Sequence, residues 1–316
     1  MTANGSEARA PGADALYRAH ARPLFGLAYR LTGSAADADE VVQETFLRAL
    51  ASPPARTEDP WAPWLVRVAT NLAIDVVRRR RRRGGDASWL PAAVADDELD
   101  ALPEPRERAP DRRYEVLESA TFAFLIALEA LTPRQRAAFV LREVCGYSAG
   151  ATAALLGASE ASVRVLHHRA RRAFAAYDAA PCRPSAALVA RHRDALEALV
   201  KCLVAQDVAA LTALLRADVT TTTDAGGEFN ALRGVRRGRT GVARFHLRVA
   251  RNRGAGARIT PCLANGLPAL AITFARAGSR QARRVLMRCE LDESGRIAAI
   301  HSLLATRKLT RVAFAP

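Results

Sequence analysis

Cysteine is scarce in this 316-residue chain, and the five present, Cys145, Cys182, Cys202, Cys262 and Cys289, are scattered, odd in number and free of C-x-x-C spacing. This argues against a disulfide framework or a zinc site and fits a reducing compartment. No stretch approaches the roughly 18 consecutive apolar residues that a membrane helix needs. The opening residues, MTANGSEARAPGAD, lack the basic-then-apolar order of a secretory leader. No internal repeat is visible. A soluble, cytoplasmic protein without membrane contact is therefore the expectation.

What the chain does have is length for two or three compact units and a formal charge of +15, from 47 Lys+Arg against 32 Asp+Glu. A polyanion, with nucleic acid first among the candidates, is a natural partner for that balance. A GC-rich genome also raises arginine content, so clustering has to decide.

Apolar residues recur at helical spacing from Asp14 onward: Leu16, Leu24, Leu27, Ala28 and Leu31, then Val41, Val42, Thr45, Phe46 and Ala49. Residues 14–83 thus read as a helical domain. Residues 84–112 mix Gly, Pro and acids without an apolar period and read as a flexible linker, in which Trp89-Leu90-Pro91 stands out as a docking point. A second helical domain, 113–178, has Thr132-Pro133 as N-cap and N1, with Gly146 and Gly157 as terminators. From 185 to 316 the pattern predicts two helices (186–204 and 208–215), a strand (219–223), a helix (242–249) and strands at 269–274, 285–291 and 297–303. That order suggests an α+β domain with helices on one curved antiparallel sheet.

Three segments carry candidate chemistry. In Tyr147–Phe174 a first helix packs through Ala151, Ala154 and Leu155, Gly157 makes the turn, and Ser159 caps a second helix that packs through Val163, Leu166, Ala170 and Phe174. Its exposed side would hold Glu160, Ser162, Arg164, His167, His168, Arg169, Arg171 and Arg172, short polar groups for base edges and guanidinium groups for phosphates. In Pro63–Arg83 the apolar positions Leu65, Val68, Leu72 and Val76 leave Arg67, Asn71 and Asp75 on another side. Six arginines, Arg78 to Arg83, close that helix and suit phosphate neutralisation, or simply a helix C-terminus. In Asp37–Leu50, Asp37, Glu40 and Glu44 share an acidic face fit for a basic partner surface.

Together these segments, in this order over residues 14–177, resemble the extracytoplasmic-function (ECF) RNA polymerase sigma factors. The resemblance implies that AYRLTGSAADADEVVQETFLRA docks the clamp coiled coil of core RNA polymerase through Asp37, Asp39, Glu40, Gln43 and Glu44. It implies that PWLVRVATNLAIDVVRRRRR melts and reads the −10 element through Arg67, Asn71, Asp75, Arg78 and Arg79. The helix-turn-helix would read the −35 element through Ser159, Glu160, Ser162, Arg164, His167, His168, Arg169 and Arg171. No catalytic residue, metal or cofactor is expected, because the chemistry belongs to the polymerase.

The C-terminal third resembles the SnoaL/NTF2-like cone domain fused to one subgroup of these factors, the ECF41 type. Three motifs accompany that fusion, appearing here as Trp89-Leu90-Pro91-Ala92-Ala93, Asp224-Ala225-Gly226-Gly227-Glu228 and Ala305-Thr306-Arg307-Lys308-Leu309. The first and last are only partly kept. The resemblance implies control in cis, with Trp89, Leu90, Pro91, Asp224, Gly226, Gly227, Lys308 and Leu309 as regulatory residues.

Two other classes remain open from the residues alone. An NTF2-like cone can be an enzyme with a pocket acid or base, for which Asp224, His246 and His301 are the candidates, or it can simply bind a small ligand that the sequence does not identify. A helix-turn-helix regulator with a ligand domain would use residues 147–174 as well. Such a regulator reads two half-sites as a dimer, whereas a sigma factor is expected to be a monomer when free.

Overall fold

The computed structural model describes residues 12–52, 61–82, 89–105 and 114–315, in two compact units. The first comprises residues 1–81, 100–119 and 127–180; the second comprises 82–99, 120–126 and 181–316. Arg83 and the expected linker residues 84–88 and 106–112 lie outside the described residues.

In the first unit, α1 (Ala13–Thr32) ends at Gly33, whose φ of 68° lets its N–H reach the Tyr29 carbonyl. Ser34 then caps α2 (Ala35–Ala51) by accepting the Asp37 N–H, so the two helices form a tight hairpin. In α3 (Trp61–Arg82) the buried stripe is Leu65, Val66, Ala69, Thr70, Ala73, Ile74 and Val77. The expected stripe of Leu65, Val68, Leu72 and Val76 is corrected accordingly. Alanine and threonine are small enough to pack closely, and a reading that counts only large apolar residues misplaces the face.

α4 (Phe122–Ala127) lies in the second unit except for its last residue, and the first unit resumes with α5 (Pro133–Phe139), opened by a reciprocal capping box between Thr132 and Gln135. A π turn over Val140–Val144 follows, then α6 (Ala149–Leu156) and α7 (Glu160–Ala179). Phe139 and Phe174 meet at 4.5 Å, and Tyr114 and Tyr177 complete the aromatic core there.

Arginine side chains tie the segments of this unit together. Arg136 is 1% exposed and donates to the carbonyls of Leu31 and Leu128, with Glu129 2.7 Å away. Arg30 donates to Ser119 Oγ and to the carbonyls of Val116 and Gly26. Arg80 binds the Thr32 carbonyl and Glu129, and Arg81 binds the Glu129 and Leu131 carbonyls. The last carbonyls of a helix have no intrahelical donor, and a guanidinium fork supplies several at once. Arg80 and Arg81 are thereby withdrawn from the phosphate-binding run expected of Arg78 to Arg83.

In the second unit, α8 (Ala186–Ala205), α9 (Val208–Leu214) and α10 (Arg239–Arg253) cover one face of a six-stranded sheet. Its strands are β1 (Leu215–Asp224), β2 (Val235–Arg237), β3 (Arg258–Ala264), β4 (Leu267–Thr273), β5 (Arg284–Leu291) and β6 (Ile297–Leu303), in the order β2-β1-β6-β5-β4-β3. The α+β class holds, but β1 runs parallel to β6, so the sheet is mixed rather than antiparallel. The sequence pattern also misses both edge strands. β2 has three residues, and β3 carries Pro261 and is largely exposed, so neither has the apolar alternation of a buried strand.

Alternation on β5 sends Val285, Met287 and Cys289 to the helical face and Leu286 to the other. That other face is covered by Leu90, Ala93, Phe122 and Leu309. Residues 90–94 are buried throughout, with Leu99 beyond them, so this part of the expected flexible linker is an ordered strap on the sheet. Its apolar residues have found a surface that composition alone does not reveal.

Replacing Arg136 with Ala removes the donor that reaches the Leu31 carbonyl and leaves Leu128 with only the Leu131 N–H, and should cost about 3 kcal/mol. Urea denaturation is the check: the midpoint should fall sharply, while Arg82→Ala, at an exposed helix end, should leave it within error.

Candidate nucleic-acid interface and regulatory node

The helix-turn-helix forms as its residues require. Ser148 caps α6, Gly157 adopts the left-handed conformation with φ 57°, and Ser159 caps α7 by accepting the Ser162 N–H. α6 packs through Thr152, Ala153, Leu155 and Leu156, while Ala154, expected inside, is exposed. α7 packs through Val163, Ala170, Phe174 and Tyr177, with Leu166 half-buried.

Glu160, Ser162, Arg164, His168, Arg169, Arg171 and Arg172 are exposed along α7, and Arg164 pairs with Glu160 one turn away. His167 departs from the expectation. It is half-buried, its Nε2 against Glu143 and its Nδ1 3.1 Å from Arg142, because Glu143 is nearly enclosed and needs a donor.

On α3, Arg67, Asn71, Asp75, Arg78 and Arg79 are all exposed. At 100° per residue the first four fall within an arc of about 80°, and Arg78 pairs with Asp75 at 3.1 Å. On α2, Asp37, Asp39, Glu40, Gln43 and Glu44 all lie on the half opposite Val41, Val42, Thr45, Phe46 and Ala49. Between them stand Leu47 and Leu50, 61% and 64% exposed, which the charge pattern overlooked. Two exposed leucines inside an acidic rim supply the apolar centre that a docking surface needs.

The three expected regulatory motifs meet around one carboxylate. Asp224, at the end of β1, is 2% exposed, and its Oδ2 accepts the Leu90 N–H at 2.8 Å and the Lys308 ammonium. Its Oδ1 accepts the Gly226 N–H at 3.0 Å, and its main-chain carbonyl accepts from Leu304 and Ala305. Lys308 also donates to the Leu90 carbonyl and stands 4.7 Å from the Trp89 ring. Gly226 has φ 57°, and a Cβ there would come within 2.9 Å of the Ala305 Cβ, so both conformation and space demand glycine. Gly227 follows with φ 77°, and Leu309 is buried beside Leu90.

A second clamp went unforeseen. Asn265 and Gly266, both at positive φ, make the β3–β4 hairpin turn, the conformation that an Asn-Gly pair favours. The Asn265 side chain accepts the Val94 N–H and donates to the Ala120 carbonyl, and Gly266 N–H binds Asp96. Nearby, the Arg288 guanidinium lies 4.1 Å from the Phe122 ring centre. The Asn-Gly dipeptide was the available signal.

The three acid-base candidates of the cone do not converge. Asp224 is consumed in the node, His301 Nε2 faces Glu290 at 3.2 Å, and His246 Nε2 faces Thr221 Oγ1 at 3.0 Å. His246 borders an apolar cavity of about 320 Å³ between helices and sheet, with Leu203, Ile272, Phe274 and Met287. Burial pushes its imidazole down to about 4.

The family match for sigma-70 region 2 spans residues 16–83, and that for sigma-70 region 4 spans 122–174. ECF RNA polymerase sigma factor SigJ of Mycobacterium tuberculosis is 37% identical over 236 residues, covering 74% of this chain and 72% of that protein. ECF RNA polymerase sigma factor SigE of Mycolicibacterium smegmatis is 37% identical over 180 residues, 55% of this chain and 65% of that protein. The crystal structure of the M. tuberculosis SigJ superposes with a TM-score of 0.67 at 27% identity, over 95% of this chain and 99% of that one. The chain belongs to the ECF RNA polymerase sigma factors, alternative sigma factors that serve transcription initiation. Among the described residues, no helix is long and apolar enough to cross a membrane.

Two outcomes follow from this geometry. Asp224→Asn leaves the Lys308 ammonium buried without its counter-charge and should destabilise the second unit by about 3 kcal/mol. Lower thermal stability and red-shifted Trp89 emission would report it, and Lys308→Met in the same chain should restore part of the loss. The second outcome concerns pH. Because the folded pKa of His246 lies below the unfolded value of 6.5, the unfolded chain takes up the proton first, and stability falls as pH drops from about 6.5 to 4. Thermal melts at pH 7 and pH 5 should differ less in His246→Gln than in the parent.

Proposed function

We propose that this sigma factor reads its promoter at two places and is controlled in cis by its C-terminal domain. The helix-turn-helix reads the −35 duplex, with the N-terminal half of α7 in the major groove. Ser162 and Glu160 lie at the base edges there, and Arg164, Arg169 and Arg171 at phosphates. His167 orients the helix through Glu143 rather than touching bases. The −10 strand is held on the exposed arc of α3, where Asn71 and Asp75 meet unstacked bases and Arg67, Arg78 and Arg79 meet the backbone. Extruding a base costs a few kcal/mol, which such contacts offset. The acidic half of α2, with Leu47 and Leu50, takes the clamp coiled coil of core RNA polymerase.

The observation that best supports control in cis is the node at Asp224. It joins Trp89 and Leu90, which lie between the two promoter-reading regions, to the ends of β1 and β6. The Asn265 turn adds a second hold on the same strap and on residue 120, two residues before the region 4 match begins. A domain that grips the connection between two DNA readers governs how far apart they can work.

Run-off transcription with core polymerase tests the whole reading. Initiation should depend on the chain, and Arg164→Ala with Arg169→Ala should weaken binding to −35 duplex by roughly tenfold or more and lower its salt dependence. Truncation after Tyr177, or Trp89→Ala in the full chain, should change promoter output. A full chain that neither binds core polymerase nor initiates on any promoter would remove the proposal.

A further inference from the structure

Most of the net positive charge of the chain lies outside the promoter readers. Residues 185–316 hold 22 of the 47 Lys and Arg but only 9 of the 32 Asp and Glu, so +13 of the formal +15 belongs to the C-terminal domain. Within it, residues 229–289 contain 14 arginines and no Asp or Glu. A codon bias that raises arginine along the whole chain does not by itself clear acids from one stretch of it.

The fold gathers much of this stretch on exposed surface. Arg244, Arg248 and Arg251 follow one another at helical spacing on the exposed side of α10, opposite Val242 and His246, which face the core. On the edge strand β2, Arg237 is exposed, Arg233 precedes it, and Arg236 lies 5.8 Å from the ring centre of Phe245 on α10. Beyond the C-terminal half of α10, a cleft of about 690 Å³ is lined by Arg248, Asn252, Arg253, Arg276 and Gln281. Arg253 is preset there, stacked 3.9 Å over Phe274 and bonded to the Ala282 carbonyl. Among the described residues, no carboxylate pairs with Arg233, Arg236, Arg237, Arg244, Arg248, Arg251, Arg276 or Arg280.

Like charges so close together repel one another, and the arrangement is stabilised when a polyanion replaces their counterions. A protein partner would need an apolar centre; none of the exposed residues of α10 is a large apolar one, and on β2 the single such residue is Val235, 40% exposed, too little to form one. Guanidinium groups in a row, with Asn252 and Gln281 at the cleft, are instead suited to the oxygens of a phosphate backbone.

We propose that β2, α10 and the adjoining cleft form a second DNA-binding surface, one that takes the phosphate backbone of duplex DNA without reading its sequence. The sigma-factor reading supplies the setting, since such a factor works beside duplex DNA, but the chemistry of the surface does not depend on it.

The test uses the full chain and a 30-base-pair duplex lacking both promoter elements, without polymerase, followed by fluorescence anisotropy at several salt concentrations. Arg244→Ala/Arg248→Ala/Arg251→Ala should bind roughly tenfold or more weakly and lower the slope of log K against log salt by about 2 to 3, since each lost phosphate contact removes about 0.9. The loss should be at least as large in Arg244→Glu/Arg248→Glu/Arg251→Glu, and should recur in an Arg164→Ala/Arg169→Ala background. Circular dichroism and melting temperature serve as the folding control. Unchanged affinity and slope in both triple variants would overturn the proposal. So would a parent chain that binds poly-glutamate but not duplex, which would assign the surface to an acidic protein. Since neither polymerase nor promoter is present, failure of the promoter-reading proposal leaves this result intact, and failure here leaves run-off initiation unaffected.

Discussion

A single buried carboxylate organises the C-terminal unit. Asp224 brings the N–H of Leu90, the N–H of Gly226 and the ammonium of Lys308 to one pair of oxygens, and its main chain closes onto Leu304 and Ala305. Three segments that are remote in sequence therefore share one point. Such a site tolerates no half measures, because a buried charge with its partners removed costs several kcal/mol while the complete set is close to neutral. Its value lies in register. Apolar strap residues would slide over an apolar sheet, whereas the bond from Leu90 to Asp224 fixes which residue stands where.

The helical unit solves a related problem with the opposite charge. Arg30, Arg80, Arg81 and Arg136 spend their donors on main-chain carbonyls, several of them at the end of α1 or beside Leu128. One residue type thus serves two tasks a few positions apart in α3. Arg78 and Arg79 face outward, and Arg80 and Arg81 turn in, as the 100° step between neighbours on a helix dictates. A run of like residues does not share one fate.

Much of this was legible in the residues. The caps Thr132 and Ser159 and the glycines Gly146 and Gly157 are local signals with local consequences, and the class of both units followed from the apolar period together with such signals. The three motifs that meet at Asp224 could be picked out from family resemblance, but nothing in their spacing says that they touch. Long-range pairing was the illegible part. The burial of residues 90–94, the parallel register of β1 with β6 and the inward turn of His167 each depend on a partner more than 20 residues away, and no window of sequence contains both members. Edge strands escaped for a different reason: β2 and β3 bury too little to need an apolar pattern.

Strap and node also divide the energetics in a way that bears on the proposed control in cis. Burial of Leu90 and Ala93 with Phe122 and Leu309 on the sheet supplies the adhesion, at about 1.5 to 3 kcal/mol for each large apolar side chain fully covered. The polar clamps at Asp224 and Asn265 add little net energy when complete but make partial release costly, so the strap tends to be wholly on or wholly off. Because strap and sheet belong to one chain, no encounter between molecules is needed, and effective concentration does the work that a separate partner would do by affinity. A balance of a few kcal/mol is within reach of ligand binding or of engagement with polymerase and DNA. Control of this kind requires no membrane component and no second protein, only a competitor for the strap.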